Sequence, residues 1–146
     1  MDNVRELLQL FVRRFGILSA SCCDICCGEE LSLVQSHIIY EIKRQSSPSI
    51  QQVADALGMD ITTFSRQIKT LETRELVTKT QDIEDRRIYL LSLTPKGEEL
   101  EGKIDQFMTE YLEKVFGQFT ELEKDLVIKS INLLNQALLK TGSCCK

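Results

Sequence analysis

The chain has 146 residues, of which 42% are hydrophobic and 27% are charged, which is ordinary for one globular domain with helical extensions. No run of about 18 apolar residues is present that could cross a membrane. The formal net charge of −4 argues against a general polyanion-binding protein. Because Arg13 and Arg14 interrupt the apolar N-terminal stretch, it does not have the pattern of a signal peptide, and we expect a cytoplasmic protein.

The spacing of apolar residues predicts a mainly helical protein. The first helix carries a stripe at Leu7, Leu8, Phe11, Phe15 and Leu18. The second extends from about Leu31 to Gln45, with apolar positions at Leu33, Ile38, Ile39 and Ile42. Two long helices begin at Thr94-Pro95 and Thr120, since threonine caps helices and proline suits a first turn. Their apolar positions are Leu100, Ile104, Phe107, Met108 and Leu112 in one helix, and Leu122, Leu126, Ile131, Leu134 and Leu138 in the other.

Two short helices and a β-hairpin are predicted between Ser49 and Gly97. Ser49 can cap the first short helix and Gly58 can close it, while Asp60 can cap the second. We expect the first to bury Ile50, Val53, Ala54 and Leu57, and the second to bury Ile61, Phe64, Ile68 and Leu71. Strand-forming residues at 76–80 and 88–93, joined by the charged stretch 81–87, predict the hairpin.

This order of elements suits DNA recognition. The second short helix can enter the major groove, where serine, threonine and basic side chains reach base edges and phosphates; the candidates are Thr62, Thr63, Ser65, Arg66 and Lys69. Arg86 and Arg87 lie at the hairpin tip, where they can enter a minor groove. Because residues 60–87 contain six basic and six acidic residues, DNA contact must depend on geometry more than on net charge.

Two segments resemble the MarR family of bacterial regulators. DRRIYLLSLTPKG, from Asp85 to Gly97, resembles the wing signature of that family, and VADALGMDITTFSRQIKTLETREL resembles its helix-turn-helix. The flanking helices match as well, so the resemblance covers nearly the whole chain. One departure is Glu75, which stands where the family usually carries glycine after the recognition helix.

The resemblance implies a mainly α fold, with a winged helix-turn-helix at 49–97 and a helical dimerisation region formed by 1–46 and 98–146. It implies a homodimer that binds a pseudo-palindromic operator in double-stranded DNA. In that family the residues matching Thr62, Thr63, Ser65, Arg66 and Lys69 face the major groove, and those matching Asp85 and Arg87 form the wing tip. No cofactor is expected to be required for the fold.

Six cysteines occur as three adjacent pairs outside the predicted DNA-binding region: Cys22-Cys23, Cys26-Cys27 and Cys144-Cys145. Neighbouring Cα atoms are about 3.8 Å apart, which is shorter than the usual disulfide span of about 4.4 Å or more, so two adjacent cysteines are poor disulfide partners. In a reducing compartment this pattern favours metal binding or redox chemistry. Thiolates from both ends of the chain could bind a soft ion such as zinc, cadmium, copper(I), mercury or trivalent arsenic.

The surroundings of the first two cysteine pairs favour a cation over a reactive thiolate. No basic residue occurs between Arg14 and Lys43, whereas Asp24, Glu29 and Glu30 do. Acidic neighbours favour a bound cation and tend to raise thiol pKa values. The single histidine, His37, is on a mainly apolar helix, which favours a packing role over metal ligation.

The leading hypothesis is therefore a regulator, most simply a repressor, whose operator binding changes when a soft metal or metalloid binds the cysteines. One alternative is a regulator that senses oxidative or disulfide stress through the same cysteines. Another is a regulator gated by a small lipophilic or aromatic ligand. An enzyme is disfavoured, because no catalytic triad, paired-carboxylate arrangement or phosphate-binding loop is present.

Overall fold

The computed structural model describes residues 2–15 and 31–142. Over those residues the elements, in chain order, are α1 (Asp2–Arg14), α2 (Leu33–Gln45), α3 (Ile50–Ala56), α4 (Ile61–Thr73), β1 (Val77–Gln81), β2 (Tyr89–Leu93), α5 (Pro95–Phe116) and α6 (Glu121–Thr141). The chain divides into two compact units, residues 1–105 and 106–146. No helix within the described ranges is long and apolar enough to cross a membrane.

Short polar side chains begin the helices, as the sequence predicts. Ser49 caps α3 and Asp60 caps α4, each by accepting a hydrogen bond from the backbone N–H three residues on. Thr120 does the same for α6, where Glu123 completes a reciprocal capping box. Thr94 caps α5 by accepting from the N–H of Gly97 at 3.0 Å. These contacts satisfy amides that have no partner inside the helix.

The first unit has one apolar core. Its buried side chains are Leu31, Ile38, Ile39, Ile42, Val53, Ala54, Phe64, Ile68, Leu71, Leu76, Val77, Leu91 and Leu100. The predicted burial of Ile61 is wrong, since this residue is 41% exposed, and Leu33, an apolar position of α2, is 40% exposed. Both are the first residue of their helix, so they project beyond the packed interior. Leu31, two residues before α2, is buried instead.

The hairpin is antiparallel, with register running from Val77 opposite Leu93 to Gln81 opposite Tyr89. Its strands start one residue later than predicted. The segment before α3 forms a short antiparallel bridge with β2. In this bridge the N–H of Leu91 donates to the carbonyl of Pro48 at 2.8 Å. The helices α3 and α4 together with this hairpin form a winged helix-turn-helix, so the predicted fold class is confirmed.

One ion pair joins α2 to α5. Lys43 donates a short hydrogen bond to Glu101 and lies 3.9 Å from a carboxylate oxygen of Glu98. The side chain of Glu101 is only 6% exposed, whereas that of Lys43 is 44% exposed. The hydrogen bond to Glu101 is the main reason that the pKa of Lys43 is raised. The pair therefore offsets the cost of burying a carboxylate.

The second unit contains α6, none of whose residues is buried. Large apolar side chains are exposed along this helix, at Leu122, Leu126, Ile128, Ile131, Leu133, Leu134, Leu138 and Leu139. α1 also exposes its apolar residues, Val4, Leu7, Leu8 and Phe11. Such extended apolar exposure is typical of surfaces that are covered in an assembly.

Candidate nucleic-acid interface

The polar residues of α4 lie opposite its buried stripe. Phe64, Ile68 and Leu71 face the core. The five residues predicted to contact DNA are all exposed: Thr62, Thr63, Ser65, Arg66 and Lys69. At 3.6 residues per turn, Thr62, Arg66, Lys69 and Thr73 follow one line along the helix, and the others flank it. The structure therefore brings the predicted helix residues onto one outward surface.

The side chains on this surface differ in their hydrogen bonds. Thr63 donates its hydroxyl proton to Asp60 at 3.2 Å, and its backbone N–H donates to the same oxygen at 2.9 Å. The hydroxyl of Thr73 donates to the carbonyl of Lys69. Among the described residues, the side chains of Ser65 and Lys69 have no hydrogen-bond partner, and they are available for an external one.

Asp60 is held as a carboxylate by this cap. The backbone hydrogen bond from Thr63 is the main reason that its pKa is lowered, and the side-chain hydrogen bond from Thr63 and the nearby Arg66 lower it further. The acid therefore stays ionised wherever the protein is folded at ordinary pH. A fixed negative charge accordingly lies at the start of α4, beside the first residues that would meet a base edge.

The tip of the hairpin is organised by Asp85. Its two carboxylate oxygens accept from Nε and Nη2 of Arg87, each at 3.0 Å, and one also accepts from the backbone N–H of Arg87. The pKa of Asp85 is lowered chiefly by the side-chain hydrogen bond from Arg87. Arg87 nevertheless has a side chain that is 90% exposed. Asp85 thus holds an exposed guanidinium in a defined position.

The rest of the loop is short and internally bonded. The N–H of Glu84 donates to Asp82 at 2.9 Å, and the N–H of Asp82 donates to the carbonyl of Ile88. The amide of Gln81 donates to the carbonyl of Arg86 at 3.1 Å. Arg86 is exposed, and its side chain has no hydrogen-bond partner in the described part of the chain. Both predicted wing arginines are therefore exposed to solvent. Asp85 holds the guanidinium of Arg87, whereas no side chain in the described ranges holds that of Arg86.

The structure adds residues that the sequence did not indicate. On the wing, the ammonium of Lys79 lies 4.9 Å from the centre of the Tyr89 ring, and Gln81 donates to the Tyr89 hydroxyl at 3.2 Å. An open groove beside them is lined by Ile50 and Ile61 from the starts of α3 and α4 and by Arg87, Ile88 and Tyr89 from the wing. The period-two alternation that places Lys79 and Tyr89 on one face is the signal that could have found them.

The end of α4 contains an unusual backbone position. Glu75 has φ of 60°, in the left-handed region that favours glycine. The N–H of Leu76 donates to the carbonyl of Leu71 and that of Glu75 to Glu72, which is a Schellman motif. Thr94 donates to the carbonyl of Glu75 at 2.6 Å. The helix therefore ends in the left-handed conformation that usually requires glycine, although the residue here is Glu75.

The predicted cysteine site lies outside the described residues, and this applies to all six residues: Cys22, Cys23, Cys26, Cys27, Cys144 and Cys145. Over the ranges that the structure does describe, no group of three or more metal-binding side chains is present. The expected packing role of His37 is wrong, since this residue is exposed on α2.

Comparison with known proteins gives consistent matches. The sequence model of the MarR family matches residues 31–89, which span α2 to the start of β2. The HTH-type transcriptional regulator YxaD of Bacillus subtilis is 28% identical over 90 residues, which cover 62% of this chain and 63% of that protein. The chain thus spans less than two thirds of the length of this relative.

Two solved structures share the fold over nearly the full length. FabT of Streptococcus pneumoniae, crystallised in complex with DNA, superposes with a TM-score of 0.88 at 20% identity, covering 97% of this chain and 99% of that one. A crystal structure of MarR superposes with a TM-score of 0.75 at 25% identity, covering 94% of this chain and 91% of that one. The helices that flank the wing and helix-turn-helix are therefore part of the shared architecture.

Proposed function

Because the chain is a member of the MarR family of transcriptional regulators, which are not enzymes, we propose that it is a homodimeric repressor of a pseudo-palindromic operator. The observation that carries the proposal is the exposed polar surface of α4 together with Arg87 on the wing, whose guanidinium is held by Asp85. One element has the width to enter a major groove and the other reaches the adjacent minor groove. The complex of FabT with DNA supports the same use of this fold.

The balanced charge of the chain makes a dimer important to this proposal. A single wing and recognition helix offers few basic contacts, and each phosphate contact contributes modestly to affinity. Two copies double the contacts and require two half-sites about 34 Å apart. The exposed apolar residues of α1 and α6 support such a dimer, because they form the kind of surface that a second copy would cover.

Selection from a pool of random duplexes tests the DNA-binding proposal. We expect the chain to enrich an inverted repeat, with two protomers bound for each duplex. Arg66→Ala and Lys69→Ala should weaken binding, whereas Lys103→Ala should not, because Lys103 is on α5 and pairs with Glu99 at 2.8 Å. Failure to enrich any sequence, or equal losses in all three variants, would contradict the proposal.

Light scattering of a purified variant tests the dimer separately. Leu126 is one of the exposed apolar residues of α6, and its exposed fraction is 64%. Leu126→Glu should lower the mass in solution from that of two chains to that of one and weaken operator binding. Asn132→Glu is the matched control: Asn132 is exposed on the same helix but lies about 120° around it from Leu126, and this variant should remain dimeric. A wild-type chain that is monomeric at micromolar concentration would refute the homodimer.

For the signal, we propose that the cysteines bind a soft metal or metalloid that changes operator affinity. The support is the pairing and spacing of the six thiols and the acidic residues near the first four. Couplings of this kind are typically about 1–3 kcal/mol. We expect trivalent arsenic, zinc, cadmium or copper(I) to alter operator binding by the wild type but not by a variant with all six cysteines replaced by serine.

The same pair of proteins separates the alternatives. Loss of binding under diamide that is restored by dithiothreitol, without a response to metals, would favour disulfide sensing. An unchanged response of the serine variant to an organic effector would favour a ligand-gated regulator. If anaerobically purified, reduced protein binds no metal and its operator affinity is unchanged by each ion, the metal proposal fails.

A further inference from the structure

The hydrogen bond between Thr63 and Asp60 determines what Thr63 can offer to a base. A free threonine hydroxyl can either donate or accept. Thr63 donates its only hydroxyl proton to a carboxylate, which is an acceptor alone when ionised. The hydroxyl oxygen then keeps only acceptor capacity towards an outside partner. Thr63 is also exposed, in the first turn of α4, where a recognition helix contacts base edges.

We propose that Asp60 is a positioning residue for specificity, because it fixes Thr63 as a hydrogen-bond acceptor in the major groove. The inference rests on the proposed use of α4 in DNA recognition. An acceptor pairs with the amino groups of adenine N6 or cytosine N4. It is repelled by the guanine O6 and N7 and thymine O4 edges, which are themselves acceptors. At one position in each half-site, the strand that Thr63 contacts should therefore favour adenine or cytosine over guanine or thymine.

Other hydroxyls on α4 provide an internal comparison. Thr62 is the adjacent residue and is exposed, but its side chain has no hydrogen-bond partner among the described residues. Ser65 is in the same situation. Their hydroxyls can turn to donate or accept, so they tolerate more than one base. Among the hydroxyls of α4, only that of Thr63 is exposed in the first turn and donates its proton to an acid.

Asp60→Asn tests the proposal while keeping the helix cap. Asparagine and aspartate cap helices about equally well, so stability should change little. The neutral amide holds the hydroxyl proton of Thr63 less strongly and can itself donate to that oxygen. Thr63 then becomes free to donate to a base. We expect the preference for an amino-bearing base at one position to fall roughly fivefold, which is the effect of one ordinary hydrogen bond.

The measurement uses the full chain and duplexes that carry each of the four base pairs at every half-site position, at constant salt. Thr63→Val should reduce the same preference, and adding Asp60→Asn to it should have no further effect on preference. Thr62→Val is the matched control, and its effect should be independent of residue 60. Thermal unfolding of each variant monitors the fold.

Two outcomes must be kept apart. If the wild type selects no duplex, the DNA-binding proposal fails. If the wild type is selective but Asp60→Asn changes affinity for all duplexes by one factor, only a lost negative charge has been measured and the inference about Thr63 is overturned. The inference is also overturned if Thr63→Val alters no single base preference.

Discussion

Gly97 lies so close to the backbone of Leu76 that a β-carbon at this position would be 2.1 Å from the Leu76 carbonyl oxygen. Leu76 lies just after α4, and Gly97 is in the first turn of α5, so this contact fixes where α5 begins. Gly97→Ala should lower the free energy of unfolding by about 1–3 kcal/mol or more, because backbone must move to relieve the overlap. Chemical denaturation followed by circular dichroism measures the change.

Gly102 is the matched control for that substitution. It lies in the same helix, and a β-carbon there would meet nothing within 4 Å. Gly102→Ala should stabilise the protein by about 0.5–1 kcal/mol, since alanine has the higher helix propensity. Equal effects at the two positions would show that helix propensity, and not the contact with Leu76, decides the outcome at Gly97.

Replacing Glu75 should stabilise the chain. Its φ of 60° is unfavourable for a residue with a β-carbon and costs about 1–2 kcal/mol, which glycine avoids. Glu75→Gly should therefore raise the free energy of unfolding by roughly 1 kcal/mol, after the larger backbone entropy of unfolded glycine is included. Glu75→Ala keeps the β-carbon and should bring no such gain, which separates the backbone effect from the loss of charge.

Gly58 provides the reverse experiment at the end of α3. Its φ is 61°, and it closes a Schellman motif through hydrogen bonds from Met59 to Ala54 and from Gly58 to Asp55. Gly58→Ala should destabilise the fold by about 1 kcal/mol for the same reason. A neutral result there, together with a neutral result for Glu75→Gly, would mean that the left-handed conformation is not maintained in solution.

Local chemistry explains which parts of the fold could be predicted. Ser49, Asp60 and Thr120 have the right side chains to cap a helix, and Gly58 is the residue that a helix end prefers, so the ends of the helices follow from the sequence. Burial depends on neighbours that are distant in sequence. The exposure of Ile61 could not be predicted, because helical spacing does not show that the first turn of α4 extends past the core and lines a groove.

In the candidate interface, too, exposure could be predicted from the sequence, whereas the contacts between side chains could not. Exposure of Ser65 and Lys69 follows from the apolar stripe on the opposite face of α4. The link from Asp60 to Thr63 and that from Asp85 to Arg87 depend on side-chain rotamers, which periodicity does not specify. Lys79 and Tyr89 are adjacent only because the hairpin has one particular register.

The buried carboxylate of Glu101 should make Lys43 important for stability. Lys43→Met leaves Glu101 without its ammonium partner and should destabilise the fold by about 1–3 kcal/mol. Glu101→Gln in that background should recover part of the loss, because a neutral amide costs less to bury than a carboxylate. The exposed pair of Lys103 with Glu99 is the control, and Lys103→Met should have no measurable effect.

The same pair has a pH dependence of known direction. The pKa of Lys43 is raised above its usual 10.5, chiefly by the hydrogen bond to Glu101, so the folded state holds this proton more strongly than the unfolded state. Its stabilising effect is present in full below about pH 10.5 and is lost as the pH rises through the higher folded value. The difference in unfolding free energy between wild type and Lys43→Met should therefore be constant from neutral pH up to that value and shrink above it. A difference that grows with pH would contradict the assignment.

Asp85→Ala removes a negative charge from the wing, yet it should weaken DNA binding if Asp85 holds Arg87 in position. Charge alone predicts the opposite, because Asp85→Ala makes the wing more basic. However, Arg87 would lose three hydrogen bonds that hold its backbone and guanidinium, so ordering it on DNA would cost conformational entropy. We expect roughly tenfold weaker binding to the selected operator, measured by fluorescence anisotropy, since one positioned arginine is worth about that much.

Glu84→Gln is the matched control, because it removes a neighbouring acid whose side chain has no hydrogen-bond partner in the described ranges, and it should tighten binding to all duplexes alike. Tighter binding by both variants would show that the wing contributes only its net charge.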